Sequence, residues 1–188
     1  MQLILIRHGL PIRSAETSDP PLSEEGHEQA RRTAAALAGE RIDAVYASTM
    51  RRAMQTAEPY AARNGHALGT HEAICEFDRG SGAYIPMEEL KRDDYPAWQA
   101  FVARGADADI GAFQAGVVDC LEGVIAAHPS QTVAVFCHGG VINVWTSHVL
   151  RMPPRLFFEP KYASIHRYLC AGTGERNLVS LNDVGHLT

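Results

Sequence analysis

Three short stretches carry side chains of the kinds that bind anions. Arg7, His8 and Gly9 follow the apolar run Leu3 to Ile6, Ser48 and Arg52 follow Val45 to Ala47, and His138, Gly139 and Gly140 follow Val133 to Cys137. Guanidinium groups form charge-assisted, often bidentate hydrogen bonds to tetrahedral oxyanions, and the free N–H groups of a helix start donate to the same charge. An imidazole beside them can act as a nucleophile or as an acid and base. Taken singly, each has an ordinary explanation: a helix arginine is usually a solvated charge, and a histidine after a strand is usually structural. Together, two guanidiniums, two imidazoles and a glycine-flanked helix start describe a pocket for a doubly charged tetrahedral anion such as phosphate.

The elements that must position these groups follow from apolar patterning. Leu3 to Ile6 and Thr132 to Cys137 are continuous apolar runs, the pattern of parallel strands buried on both faces. "DAVYAS", Asp43 to Ser48, is a third strand. Ser23 caps a helix with Glu24 and Glu25 in its first turn, extending to about Ala38. A second helix runs from about Met50 to Arg63 and stops at Asn64-Gly65. Phe113, Val117, Cys120, Leu121, Val124 and Ile125 fall at helical spacing, and a further helix follows Gly139. Ile165 to Leu169 and Leu178 to Leu181 read as a closing strand pair. This order predicts an α/β fold, a three-layer α/β/α sandwich with a mostly parallel central sheet, in one domain spanning residues 1–188. In open α/β sheets ligands bind beyond the carboxyl ends of the strands, where all three stretches lie.

Composition narrows the function. The chain has 188 residues, 46% of them hydrophobic, and a formal net charge of -5 with a pI near 6.0. No global basic field attracts nucleic acid or an acidic membrane, so any anion site is local. The four cysteines, Cys75, Cys120, Cys137 and Cys170, form no CxxC pair. They read as reduced thiols of a cytoplasmic protein. No signal peptide is visible and no stretch is expected to reach the length of a membrane span. The histidines other than His8 and His138 show no metal-ligand spacing and are assigned structural roles, and no metal or other cofactor is expected.

The motifs "RHG", "LSEEGHEQA", "STMRRAMQTA" and "FCHGG", with the ending "NLVSLNDVGHL", resemble in order and setting the phosphoglycerate mutase-like branch of the histidine phosphatase superfamily. The resemblance covers most of the chain. It implies that His8 is the nucleophile and that Arg7, Arg52 and His138 bind the phosphoryl group, with Gly139, Arg13 and Ser23 as further candidate contacts for phosphate or substrate. It also implies a proton-donating glutamate, which "AICEFDRG" places at Glu76, with Asp78 two residues away as the alternative. The implied reaction is metal-independent hydrolysis of a phosphomonoester, a small phosphorylated metabolite, through a phosphohistidine.

Departures from the family pattern bear on the reaction. Mutases and many sugar phosphatases follow RHG with an acidic residue, a small hydroxylic one and, a few positions on, an asparagine; here Leu10, Pro11, Ile12 and Arg13 stand instead. "ADADIG", Ala106 to Gly111, replaces the Gly-Glu-Ser of mutase-like members. Phosphoglycerate mutase chemistry is therefore the alternative reading, beside a non-catalytic phosphate-binding module. Arg13 either contacts the substrate anion or is a solvated loop charge. Residues 78–108 lack a clean period and read as a lid-like insertion, whose Tyr84, Tyr95 and Trp98 either cover a substrate or pin the insertion to the body.

Overall fold

The computed structural model describes residues 1–77, 79–80, 82–100 and 109–188. Six strands form one sheet in the order β3-β2-β4-β1-β5-β6. In chain order they are β1 (Gln2–Arg7), β2 (Ala44–Ser48), β3 (Leu68–His71), β4 (Thr132–Cys137), β5 (Ile165–Cys170) and β6 (Arg176–Asp183). The first four are mutually parallel, and β5 runs antiparallel to both β1 and β6.

Alternation along the two central strands explains the layers. Leu3, Leu5, Val133 and Val135 pack on one face, beneath α4 (Ile110–Ala127) and α5 (Gly139–Val149). Ile4, Ile6, Ala134 and Phe136 pack on the other, beneath α1 (Glu24–Ala36) and α2 (Arg51–Asn64). Successive strand side chains point to opposite faces, so a strand covered on both sides must be apolar throughout. Each fully buried Leu, Ile or Val contributes about 1.5–3 kcal/mol. The result is the three-layer arrangement with a mostly parallel sheet anticipated above.

Local signals set the element ends. The Ser23 hydroxyl accepts the Gly26 N–H at 3.1 Å at the start of α1, whose first turn carries Glu24 and Glu25. Gly65 ends α2 in the left-handed region with φ +69°, where a side chain would be strained.

Four features differ from expectation. The edge strand β3 is four residues long and carries Gly69, so it offers no alternation to read. Within residues 78–108 the described part is ordered into α3 (Met87–Asp93), and residues 95–100 are helical, although no α3 residue is buried. Asp78 and the end of that segment lie outside the described residues. Tyr84 exchanges both backbone hydrogen bonds with Ser14, at 2.7 and 2.9 Å, fastening residues 82–86 to the loop after β1. Finally, α4 starts at Ile110 rather than near Phe113, and its 18 residues of mean hydropathy 1.5 match a membrane span by length and composition, against the expectation that no stretch would. In the fold its Val117, Leu121, Val124 and Ile125 face the sheet.

Candidate active site

Three neighbouring strands converge at one edge. Arg7 is paired in register with Cys137, so β1 and β4 end side by side, and β2 ends on the far side of β4. Arg7 and His8, Ser48, and His138 therefore leave the sheet together, and the first turn of α2 carries Arg52 over them.

His8 is buried at 2% exposure and held through its backbone, donating to the Cys137 carbonyl at 3.0 Å and accepting from the Ala163 N–H at 3.1 Å. Its Nδ1 lies 2.8 Å from the Gly9 carbonyl. A carbonyl only accepts, so Nδ1 carries the proton and Nε2 keeps its lone pair. Arg52 Nε–H donates to that Nε2 at 3.2 Å. Burial first, then the positive charge of Arg52, then His138 and Arg7, hold the His8 ring well below the ordinary imidazole range. The result is a neutral imidazole with one directed lone pair. The loop bearing it is tightly keyed to α1, since a Cβ on Gly9 would fall 2.6 Å from the Gly26 carbonyl oxygen.

His138 faces His8 with ring centroids 5.0 Å apart. Its Nε2 lies 2.7 Å from Ser48 Oγ, and that oxygen already accepts the Met50 N–H at 3.3 Å. Where Ser48 donates its proton to Nε2, His138 carries its own on Nδ1. That atom and Arg7 Nε are buried without a hydrogen-bond partner among the described residues. Orphaned buried polar groups are costly, and two of them beside a neutral imidazole are what an oxyanion would satisfy. Burial, then Arg52 and Arg7, also keep His138 well below the ordinary range.

The guanidiniums are seated on two tyrosines. Arg7 lies over Tyr162 at 3.9 Å from the ring centroid, and Arg52 over Tyr84 at 4.9 Å. The two phenols meet at 3.1 Å between their oxygens. Arg7 Nη1 also donates to the Pro160 carbonyl and sits 3.6 Å from Glu88 of α3. Arg52 Nη1 donates to the Ser18 carbonyl at 2.9 Å and lies 3.6 Å from Asp19.

Glu76 enters from the segment after β3. Its Oε2 accepts the Gly140 N–H in the first turn of α5 at 3.0 Å, and its Oε1 accepts the Phe77 N–H at 3.1 Å. Gly140 permits this approach, because a Cβ there would lie 2.1 Å from Oε1. Arg7, His8, Arg52, Glu76 and Gly139 all line one cavity of about 840 Å³.

Two anticipated contacts stand elsewhere. Arg13 is exposed and pairs with Glu89 at 2.9 Å, the solvated alternative, and it does not line the cavity. Ser23 is occupied as the α1 cap and by a hydrogen bond to the Leu10 carbonyl at 2.9 Å. Trp98 does line the cavity, as does Tyr84. Tyr162 was not anticipated, since it comes from a loop far along the chain with no local motif. Among the described residues no three His, Cys, Asp or Glu side chains gather where a metal could be held.

Comparison with known proteins gives a consistent family. The model of the histidine phosphatase superfamily (branch 1) matches residues 3–184. Phosphoglycerate mutase-like protein 4 of Arabidopsis thaliana is 29% identical over 156 residues, covering 76% of this chain and 68% of that protein. Phosphoserine phosphatase 1 of Hydrogenobacter thermophilus is 29% identical over 150 residues, covering 73% and 71%. Among solved structures, Bacillus stearothermophilus YhfR superposes with a TM-score of 0.82 at 23% identity, covering 100% of this chain and 99% of that one. The phosphoserine phosphatase of Entamoeba histolytica in complex with 3-phosphoglyceric acid superposes with a TM-score of 0.78 at 24% identity, again over 100% and 99%. At these identities the structural likeness is one of fold.

Proposed function

The chain belongs to branch 1 of the histidine phosphatase superfamily, and from that premise we propose that it hydrolyses a phosphomonoester through a phosphohistidine on His8. The observation that carries this reading is the His8 ring itself, locked by Gly9 with Nε2 unprotonated and directed at the Arg52 guanidinium.

In the first displacement Arg52 Nε–H turns from Nε2 to a phosphoryl oxygen, and the freed Nε2 lone pair forms a bond to phosphorus as the bond to the leaving oxygen breaks. Glu76 delivers a proton to that oxygen. In the second, a water oxygen attacks phosphorus, the Nε2–P bond breaks with its electrons returning to the ring, and Glu76 takes the water's proton. Arg7, Arg52 and the Nδ1–H of His138 hold the equatorial oxygens, where stabilising charge supplies most of the catalysis in phosphoryl transfer. Neither displacement needs a second proton on His8, in keeping with the depressed proton affinity of its ring. The relatives named as phosphoserine phosphatases support hydrolysis of a phosphorylated small molecule over transfer between two positions. The missing mutase residues after Gly9 point the same way.

The test is release of p-nitrophenol from p-nitrophenyl phosphate with EDTA present, by wild type and by a folded His8→Ala variant. Activity in the first and none in the second supports the reading. Equal activity in both means that His8 is not the nucleophile.

A further inference from the structure

The part of the cavity that does not face the phosphoryl group describes the alcohol attached to it. Resting on the hydrolytic reading above, we propose that the leaving group is a bulky, apolar, ring-bearing alcohol rather than a small carboxylate-bearing one.

Volume comes first. At about 840 Å³ the cavity lies in the range that encloses a drug-sized ligand. A phosphorylated amino acid or hydroxy acid would leave much of it unfilled.

Lining comes second. Besides the groups at the phosphoryl end, the cavity is lined by Phe77, Met87, Leu90, Trp98, Phe157 and Phe158. The polar groups among them are already committed. Asn143 donates from Nδ2 to the carbonyls of Gly139 and Phe158, at 2.9 and 3.0 Å, and accepts at Oδ1 from the N–H groups of Phe157 and Phe158, at 2.9 and 3.2 Å. That amide fixes the wall and has little left to offer a ligand. Lys91 pairs with Glu159 at 3.2 Å and lies 4.7 Å from the Trp98 ring centroid. Among the described lining residues beyond the phosphoryl end, the cation is therefore neutralised by its neighbour.

A second carboxylate would have to compete with Glu159 for Lys91, or be buried against phenyl and thioether groups, where an unpaired charge is disfavoured strongly. An aromatic body meets the opposite situation. Trp98, Phe77 and the Phe157–Phe158 pair, whose centroids are 5.0 Å apart, offer ring surface for offset or edge contact. Discrimination of this kind works as much by excluding charged competitors as by attracting the aryl group.

Binding to the wild-type protein tests this without turnover. Calorimetry would compare 1-naphthylmethylphosphonate with 2-amino-4-phosphonobutyrate, which mimic an aryl phosphate and phosphoserine. The aryl ligand should bind at least tenfold more tightly, and Trp98→Ala should reduce that preference severalfold. Equal or reversed affinities, binding of neither ligand, or a preference untouched by Trp98→Ala would overturn the proposal. Tight aryl binding without hydrolysis of 1-naphthyl phosphate would leave this assignment standing and remove the hydrolytic reading instead.

Discussion

Arg52 Nε–H and His8 Nε2 meet at 3.2 Å, so the lone pair assigned to attack phosphorus is the acceptor of a fixed cation's hydrogen bond. In the proposed reaction this one contact orients the His8 ring, lowers its proton affinity and marks where the phosphoryl group would arrive. After burial itself, Arg52 is the largest influence keeping the ring neutral. Arg52→Ala should lower kcat/KM by about 10²–10³, the size of losing one preorganised donor to a transition-state oxygen. Arg52→Lys should not restore it, because an ammonium cannot reproduce the fork. Steady-state kinetics of the two variants checks both statements, and near-wild-type rates would refute the role.

Acid should lower stability well before it protonates the rings of the site. His8 and His138 lie well below the ordinary value, and His166, buried and bonded to Ser164, lies at about 3. Below pH 6.5 the unfolded chain takes up protons on these rings while the native state does not. Unfolding then binds protons, so stability falls as pH drops, by up to about 1.4 kcal/mol per pH unit for each ring until its folded value is reached. Denaturant titrations between pH 7 and 4 measure this slope. Ring resonances of His8 and His138 should stay those of neutral imidazole at pH 5.

Gly140 gives a test aimed at Glu76. A Cβ there would lie 2.1 Å from Glu76 Oε1 and 2.9 Å from Phe77, so Gly140→Ala must displace the carboxylate. Activity should fall by about 10² or more, in the range of general acid–base contributions. Because α5 tolerates alanine, the thermal midpoint should change little. Loss of fold in place of loss of rate would contradict this.

The tyrosine pair separates two roles within one residue. Tyr84→Phe removes a hydroxyl whose partner is the Tyr162 phenol and keeps the ring beneath Arg52, so kcat/KM should change less than about threefold. Tyr84→Ala removes the ring, worth about 1–2 kcal/mol to a desolvated guanidinium, and should cost about tenfold. If both variants behave alike, ring support of Arg52 is wrong.

Much of this was legible because some residues admit only one setting. Leu3 to Ile6 and Val133 to Cys137 have no polar face, so burial on both sides was forced, and the groups after them had to share an edge. Direction in space was less legible. Arg13 lies five residues from His8 yet turns to Glu89 and solvent, while Tyr162 is distant in sequence and touches Arg7. Short segments were the hardest to read: "LGTH" becomes a strand because β2 offers an edge, and "MEELKRD" forms α3 without burying a residue. Those outcomes depend on tertiary partners rather than on periodicity.

The attachment of α3 has one more consequence. Glu88 reaches Arg7, Glu89 reaches Arg13, and Lys91 reaches Glu159, and at least one partner in each pair is substantially exposed. The sheet and its helices are joined by apolar contact, which salt strengthens if anything, whereas these three ties of α3 are ionic and are weakened as the Debye length shrinks from about 10 Å at 0.1 M toward 3 Å at 1 M. Ionic strength thus becomes a selective handle: amides of residues 87–93 should exchange with deuterium faster in 1 M sodium chloride, while those of β1 and β4 stay protected. The attachment of α3 and the core of this protein answer to different properties of the solvent.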